Sequence, residues 1–207
     1  MKKFFFLLYI GLLGILVLSG CGNNNNGNNS NYEASRTQYE IANNEQNNSA
    51  NTNRTPIETE LSSFSTPLKS GSPNRITNIK LTCNKINEYV LKNGETFSFN
   101  KIVGPCTAEE GYLKSEIYVN KKITYALGGG NCQVSTTLYN CCLPVDGIKI
   151  VERHEHGMPV DYIEDGKDAA VSYGSKDLSF KNETGTDLKI YVSIDEKNVS
   201  ARFCKLE

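Results

Sequence analysis

The sequence predicts an α+β fold: a single domain with a largely antiparallel sheet of about seven short strands and two main helices. Two stretches place apolar residues at three- and four-residue spacing, which is the period of an amphipathic helix. Between and after them, short segments alternate apolar with polar residues and are separated by Gly, Asp and Asn, as strands joined by turns are. The domain is assigned to residues 66–207, a length that suits one hydrophobic core.

The two predicted helices lie on either side of the first strands. The first helix starts near Asn74, and its apolar face consists of Ile76, Ile79, Cys83, Ile86 and Val90. Asn93-Gly94 is a suitable signal for its end. The second helix is predicted over residues 133–142, where Val134 and Leu138 have helical spacing directly after a glycine-rich turn.

Alternating apolar residues predict the strands. Their segments are ETFSFN (95–100), SEIYVNKKIT (115–124, with a turn at Asn120-Lys121), GIKIVERHEH (147–156), DAAVSYG (168–174), DLSFKN (177–182), DLKIYVSI (187–194) and NVSARFC (198–204).

The pattern of residues 1–20 is typical of a bacterial lipoprotein signal peptide. Lys2 and Lys3 form a basic start, residues 4–17 are uncharged and mostly apolar, and Ser19-Gly20 places small residues before Cys21. We therefore predict that Cys21 is lipidated and anchors the protein in the cell membrane, on its extracytoplasmic face. An ordinary secretory peptide and an uncleaved anchor are the alternatives, and each also places the rest of the chain outside the cytoplasm.

The segment 21–65 is predicted to be a disordered tether. Of the 32 residues 22–53, 13 are Asn, and apolar residues are too few to offset the entropy cost of ordering this segment. The formal net charge of the chain is −1 and no basic stripe is interleaved with aromatic residues. Nucleic acid is therefore not an expected partner.

The strongest indication of a reactive site is a cysteine at the N-terminus of the second predicted helix. The stretch GGGNCQVSTTLYNCC (128–142) places Cys132 shortly after Gly128, Gly129 and Gly130. The free N–H groups and the positive dipole end of a helix start favour thiolate over thiol. Residues without a Cβ also leave room for a substrate backbone. Cys132 is therefore a candidate nucleophile.

Two histidines offer a proton carrier for this thiol. His154 and His156 share a face if their segment is a strand. A cysteine at a helix start followed by an imidazole is an arrangement that cysteine peptidases use. Asp161 or Asp168 could orient the imidazole.

Three other interpretations of Cys132 stay open. It could bind zinc together with the two histidines, although no spaced cysteine pair supports such a site. It could form a disulfide, since an extracytoplasmic compartment permits one; the other cysteines after the signal are Cys83, Cys106, Cys141, Cys142 and Cys204. It could also be buried behind a tight glycine turn. We predict no metal and no cofactor.

Several motifs in the same order resemble the VanW family, which is named for its place among vancomycin-resistance genes. They are NRITNI (74–79), NGETFSFNKIVGP (93–105), EGYLKSEIYVN (110–120), GGGNCQVSTTLYN (128–140), IVERHEHGMPVDY (150–162) and GKDAAVSYGSKDLSFKN (166–182). The matching positions are Gly128, Gly129, Gly130, Cys132, Gln133, Ser135, Thr137, Leu138, Tyr139, Arg153, His156, Asp168, Tyr173 and Asp177. Asn131 and Gly157 depart from the usual apolar residue and serine of the family. The resemblance favours His156 over His154.

The resemblance implies an envelope role on or near peptidoglycan. The leading hypothesis is a cysteine-dependent peptidase or transpeptidase that acts on peptidoglycan peptides. In it Cys132 attacks a carbonyl, His156 carries the proton, Asp168 orients His156, and Gln133 stabilises the oxyanion through its side chain or backbone N–H.

The alternative is a non-catalytic module that binds a cell-wall peptide or another carboxylate ligand. Its site consists of the glycine-rich loop and the helix N-terminus, where backbone N–H groups bind anions. The expected ligand-binding residues are Gly128, Gly129, Gly130, Ser135 and Arg153.

Overall fold

The described part of the chain folds into nine strands and three helices. The structure is a computed structural model that describes residues 56–69, 71–119 and 122–207. The elements in chain order are β1 (Glu58–Pro67), α1 (Pro73–Ile86), β2 (Tyr89–Leu91), β3 (Thr96–Ser98), α2 (Phe99–Val103), β4 (Lys114–Val119), β5 (Lys122–Leu127), α3 (Asn131–Cys142), β6 (Ile148–Glu152), β7 (Ser179–Asn182), β8 (Leu188–Ile194) and β9 (Asn198–Leu206). The α+β prediction is confirmed.

The strands form three antiparallel sheets. The largest has the order β1-β9-β8-β2, the second β3-β7-β6, and the third is the hairpin β4-β5. Helices α1 and α3 pack on the large sheet, and α3 contacts both β1 and β9. The first two sheets share one core, in which Phe97 of β3 stacks on Phe180 of β7 at 4.6 Å, and Phe180 lies 5.7 Å from Phe203 of β9.

Helix α1 has a capped start and a sharp end. Ser72 accepts a hydrogen bond from the backbone N–H of Arg75, and Pro73 occupies the first turn, where its missing N–H costs nothing. The prediction that the helix extends to Val90 is wrong, because Glu88 takes a φ of 65°. That left-handed conformation stops a helix, and Val90 lies on β2 instead.

Two further predictions differ from the structure. The expected strand DAAVSYG is an irregular segment with a single bridge between Ser172 and Lys176. The folded region also begins earlier than residue 66, because β1 pairs with β9 from Glu58 onward. The signal peptide, Cys21 and residues 22–55 of the expected tether lie outside the described residues. Within the described ranges, no helix has the length and apolar character required to cross a membrane.

Candidate active site

The start of α3 presents Cys132 with a free backbone donor. Gly130 caps the helix with a φ of 111° and supplies no side-chain cap. The N–H of Asn131 donates to the Gly128 carbonyl at 3.2 Å, and the N–H of Gln133 donates to the Gly130 carbonyl at 3.0 Å. The Cys132 N–H between them has no acceptor among the residues that the structure describes. It is therefore available to donate to the oxyanion that would form when the sulfur attacks a carbonyl carbon.

The three glycines are needed for close packing. A Cβ on Gly130 would lie 2.7 Å from Ile79 of α1, and one on Gly129 would lie 2.7 Å from the backbone carbonyl of Glu116. A Cβ on Gly128 would lie 3.1 Å from the Cβ of Cys106. The expectation that the missing side chains leave room for a substrate is thus corrected: the protein itself fills that space, while the glycine backbone lines a cavity.

Cys132 is a free cysteine, and the residue as a whole is half-buried. Its sulfur lies 3.5 Å from the backbone N of Val171 and 3.4 Å from the carbonyl oxygen of the same residue. The N–H of Val171 can donate to a thiolate, and the S–H of a thiol can donate to the carbonyl. The irregular segment 168–171 therefore stabilises both protonation states of Cys132.

His156 and Asp168 form a tight pair beside this sulfur. One carboxylate oxygen of Asp168 lies 2.6 Å from His156 Nδ1 and accepts the backbone N–H of His156 at 2.7 Å. The other oxygen accepts from Arg153 Nη2 at 3.2 Å. Because Nδ1 is held by the carboxylate, Nε2 of the imidazole is left for the thiol.

The pKa shifts describe an activated thiol. Burial alone raises the pKa of Cys132, but the hydrogen bond and charge of His156 outweigh it, so the pKa lies below its ordinary value. Burial alone lowers the pKa of His156, while Cys132 and then Asp168 raise it, and the net shift is upward. Opposite shifts of this kind favour a thiolate–imidazolium pair.

Asp168 stays ionised for a related reason. Burial alone raises the pKa of its carboxyl, but the hydrogen bonds from His156 and the charges of His156 and Arg153 hold the pKa below its ordinary value. Asp168 is 6% exposed. A buried carboxylate that keeps its charge can fix the imidazole in one orientation.

The thiol opens into a cavity of about 520 Å³. Cys132 and His156 line it together with Tyr162, whose pKa is raised, first by burial and then by the nearby Cys132. Apolar side chains of α2 and of the β4-β5 hairpin form another part of the wall, among them Phe99, Val103, Ile117 and Leu127. A cavity with a few convergent polar groups and apolar walls is typical of a small-ligand or peptide site.

Gln133 has a different role from the one that the sequence suggested. Its amide Nε2 donates to Thr66 Oγ1 at 3.1 Å and to the Pro67 carbonyl at 3.0 Å, so both of its hydrogens are used. Its backbone N–H donates a hydrogen bond to the Gly130 carbonyl. The predicted oxyanion donor Gln133 therefore has no free N–H in this geometry, whereas the backbone N–H of Cys132 has no acceptor in the described part of the chain.

The side-chain amide oxygen of Gln133 instead accepts a hydrogen bond from Arg75. Arg75 Nη2 donates to Gln133 Oε1 at 2.6 Å, and the Arg75 side chain lines the cavity. Its Nε is buried and has no hydrogen-bond acceptor among the described residues. Sequence reasoning missed Arg75 because a lone arginine in the first turn of a helix is normally solvated.

Two other expected ligand-binding residues are used inside the protein. Ser135 is buried, and its hydroxyl donates to the Ala169 carbonyl at 2.6 Å. Arg153 donates from Nε to the Asp168 carbonyl at 2.7 Å and from Nη2 to the Gly166 carbonyl at 2.9 Å, and its Nη1 pairs with Glu155. Both residues position the Asp168 segment, so their assignment as ligand-binding residues is corrected.

The histidine segment is not a strand, because β6 ends at Glu152. His154 is turned to Glu152, with 2.8 Å between Nε2 and Oε1, and does not line the cavity. Asp161 lines the cavity but makes no hydrogen bond to His156, so Asp168 is the orienting carboxylate.

Among the described residues, Cys132 lies neither in a disulfide nor in a cluster of metal-binding side chains. All six cysteines from Cys83 to Cys204 are free. The described residues contain no group of three or more His, Cys, Asp or Glu side chains arranged to hold a metal ion.

Comparisons with known proteins point to one family. The family model described as VanW like protein matches residues 74–204. The uncharacterized protein YoaR of Bacillus subtilis (strain 168) is 40% identical over 126 residues, which cover 60% of this chain and 41% of the relative. The vancomycin B-type resistance protein VanW of Enterococcus faecalis (strain ATCC 700802 / V583) is 32% identical over 132 residues, 61% of this chain and 47% of the relative. The chain thus spans less than half the length of these curated relatives. No solved structure matches the chain.

Proposed function

The chain belongs to the VanW family, and from the geometry around Cys132 we propose that it is a thiol-dependent acyl-transfer enzyme, a peptidase or transpeptidase, that acts on peptides of the cell envelope. The observation that carries the proposal is the His156 imidazole, held by Asp168 at 2.6 Å, which lines the same cavity wall as the Cys132 thiol. Each of these three residues has the environment that its role requires: a buried ionised carboxylate, an imidazole of raised pKa and a thiol of lowered pKa.

In the first half of the reaction the Cys132 thiolate attacks the carbonyl carbon of a peptide bond, and a carbon–sulfur bond forms. The carbonyl oxygen becomes an oxyanion that the Cys132 N–H stabilises. The carbon–nitrogen bond then breaks, and the leaving amine takes the proton of the His156 imidazolium. A thioester remains on Cys132.

In the second half a water molecule or an acceptor amine attacks the thioester carbonyl, and His156 removes the proton of the attacking group. The carbon–sulfur bond breaks and the thiolate returns, with a carboxylic acid or a new amide as the product. Water as the attacking group makes the enzyme a peptidase, and an amine makes it a transpeptidase.

Cell-envelope peptides are the proposed substrates for two reasons. The predicted lipoprotein signal would hold the domain on the extracytoplasmic face of the membrane through Cys21. The name of one relative connects that protein with vancomycin resistance. Peptidoglycan peptides are therefore the first substrates to test.

The non-catalytic alternative has weaker support. Two of its expected ligand contacts, Ser135 and Arg153, are used within the protein. A module that only binds also has no need for a thiol of lowered pKa beside an oriented imidazole.

The test measures acylation of the full-length chain by purified peptidoglycan peptides, with intact-mass spectrometry to detect a thioester and chromatography to detect products. Cys132→Ser should abolish both signals. Cys106→Ser is the matched control, since Cys106 lines the same cavity but its pKa is raised, first by burial.

The pH dependence of iodoacetamide alkylation at Cys132 completes the test. An apparent pKa clearly below about 8.5 is expected. An unshifted pKa together with no acylation would refute the enzyme, and full retention of peptide affinity in Cys132→Ser would then favour the binding module.

A further inference from the structure

We propose that Arg75 binds a carboxylate of the substrate, so that Cys132 acts on a peptide bond at or next to a free C-terminus. The inference rests on the proposed function and names its substrate class. It starts from a cation that lines the cavity and that the described residues leave largely unpaired.

The hydrogen bonds of Arg75 leave most of its donors unused. A guanidinium carries five N–H donors, and the described residues provide one acceptor, Gln133 Oε1 at 2.6 Å. That acceptor is a neutral amide. None of the ion pairs within 4 Å among the described residues involves Arg75, although hydrogen bonds and then the Arg75 charge lower the pKa of Glu116. The buried Nε without a partner is unusual, because a buried donor is normally satisfied.

The position of Arg75 is fixed rather than left to a flexible side chain. Gln133, which holds Nη2, is 1% exposed and is itself held by Thr66 and Pro67 at the end of β1. A Cβ on Gly130 would lie 3.3 Å from Arg75 Cγ, so the arginine stem packs on the glycine loop. A charged group held in this way is preorganised for an anion and loses little entropy when it binds one.

Other charges around the cavity are consistent with this assignment. Arg75 is the one Lys or Arg side chain among the lining residues that the structure describes. Two carboxylates also line the cavity: Asp161, which is exposed, and Glu116, one of whose oxygens accepts the hydroxyls of Ser72 at 3.2 Å and Ser115 at 3.1 Å. The buried Nε is closed to a ligand, whereas Nη1 has no hydrogen bond to the described residues and is not buried, so the Nη groups are the donors left for a carboxylate.

The cavity that Arg75 and Cys132 share sets where the carboxylate falls on the substrate. Arg75 is bound to Gln133, the residue that follows Cys132. Arg75 and Cys132 line the same cavity. A peptide whose terminal carboxylate is held by Arg75 therefore presents a bond near its C-terminus to the sulfur.

The experiment compares two thiol reagents of similar size on the full-length chain. Iodoacetate carries a carboxylate and iodoacetamide is neutral, and both react with the same thiolate, so the ratio of their rates does not depend on the pKa of Cys132. We expect the iodoacetate-to-iodoacetamide ratio at Cys132, measured by peptide mass spectrometry, to fall about tenfold in Arg75→Gln, because a charge-assisted hydrogen bond is lost.

Arg202→Gln is the matched control, since Arg202 lies on β9 near Glu60 and does not line the cavity. This control should leave the ratio unchanged. If the iodoacetate-to-iodoacetamide ratio is unchanged in Arg75→Gln while Cys132 is still activated, the carboxylate site is wrong and the proposed enzyme is not contradicted. A Cys132 that is not activated in the wild-type protein would overturn the enzyme itself.

Protection of the wild-type protein provides a measurement that does not depend on how Arg75→Gln folds. N-acetylglycine, which ends in a carboxylate, should slow the alkylation of Cys132 by iodoacetamide, whereas N-acetylglycinamide should not. Equal protection by both compounds, or protection by neither, would contradict the proposal.

Discussion

Replacement of Asp168 by Asn tests the centre of the site. The carboxylate accepts hydrogen bonds at both oxygens: from two groups of His156 at one oxygen and from Arg153 at the other. An asparagine side chain has one acceptor end and one donor end. Whichever way it turns, its NH₂ group faces a donor, either the His156 N–H or the Arg153 guanidinium.

The expected loss in the free energy of unfolding is about 2–4 kcal/mol. It combines two magnitudes: about 1.5–3 kcal/mol for a hydrogen bond to a charged group and about 3–5 kcal/mol for breaking a buried ion pair. The pKa of His156 should also fall, because the Asp168 charge is one of the groups that raise it. As the pH rises, the His156 imidazolium should therefore lose its proton at a lower pH in Asp168→Asn than in the wild type.

Urea unfolding of the full-length chain, followed by circular dichroism, measures the stability change. Asp161→Asn is the matched control, because Asp161 is an exposed aspartate of the same cavity region. It should change the free energy by no more than about 0.5 kcal/mol. Equal effects of the two substitutions would refute the assignment of Asp168 as the buried acceptor.

Three further predictions concern the thiol, the glycine loop and β1. His156→Ala should raise the alkylation pKa of Cys132 above that of the wild type, because burial alone raises it once the imidazole is gone; an unchanged pH profile would show that the two residues are uncoupled. Gly129→Ala should lower the free energy of urea unfolding by about 1–3 kcal/mol, because the new Cβ would meet a β4 backbone carbonyl at 2.7 Å. Thr66→Val should cost about 1–3 kcal/mol in the same assay, since it removes hydrogen bonds to two α3 side chains. Thr59→Val, on the exposed part of β1, should cost less than about 0.5 kcal/mol, and an equal cost would argue against the role of Thr66.

The sequence was a good guide to elements with a clear apolar period. The α3 helix, the β4-β5 hairpin and strands β7 to β9 lie where alternation or helical spacing places them. β1 lacks that signal, because Thr66 is its one fully buried residue and its other positions are exposed or partly exposed. Its hydroxyl-rich sequence merges with the Asn-rich segment before it.

The segment DAAVSYG shows why a strand pattern can mislead. Ala169 and Ala170 are buried, as in a strand. The backbone of Ala169, however, is satisfied by side chains of α3: its N–H donates to Thr136 Oγ1 at 2.9 Å, and its carbonyl accepts from Ser135. Side chains that satisfy the backbone remove the need for a neighbouring strand, and no local pattern reveals such partners.

The sequence suggested Cys132, His156 and Asp168, which the structure brings together, but it did not suggest the side chains that hold them in place. Cys132 and its helix start followed from local sequence, while the choice of His156 came from the family resemblance. Gln133 and Arg75 act through contacts with β1 and α3 that join residues 58 or more positions apart. Such contacts depend on the tertiary fold, so one sequence alone does not reveal them.

The pairing of β1 with β9 has a practical consequence for anyone who isolates this domain. The family match begins at residue 74, which lies after β1. A protein that starts there would leave β9 as an open edge, and open edges of sheets promote aggregation. It would also leave the Gln133 amide without Thr66 and Pro67. Expression should therefore start before Glu58, so that the first strand is included.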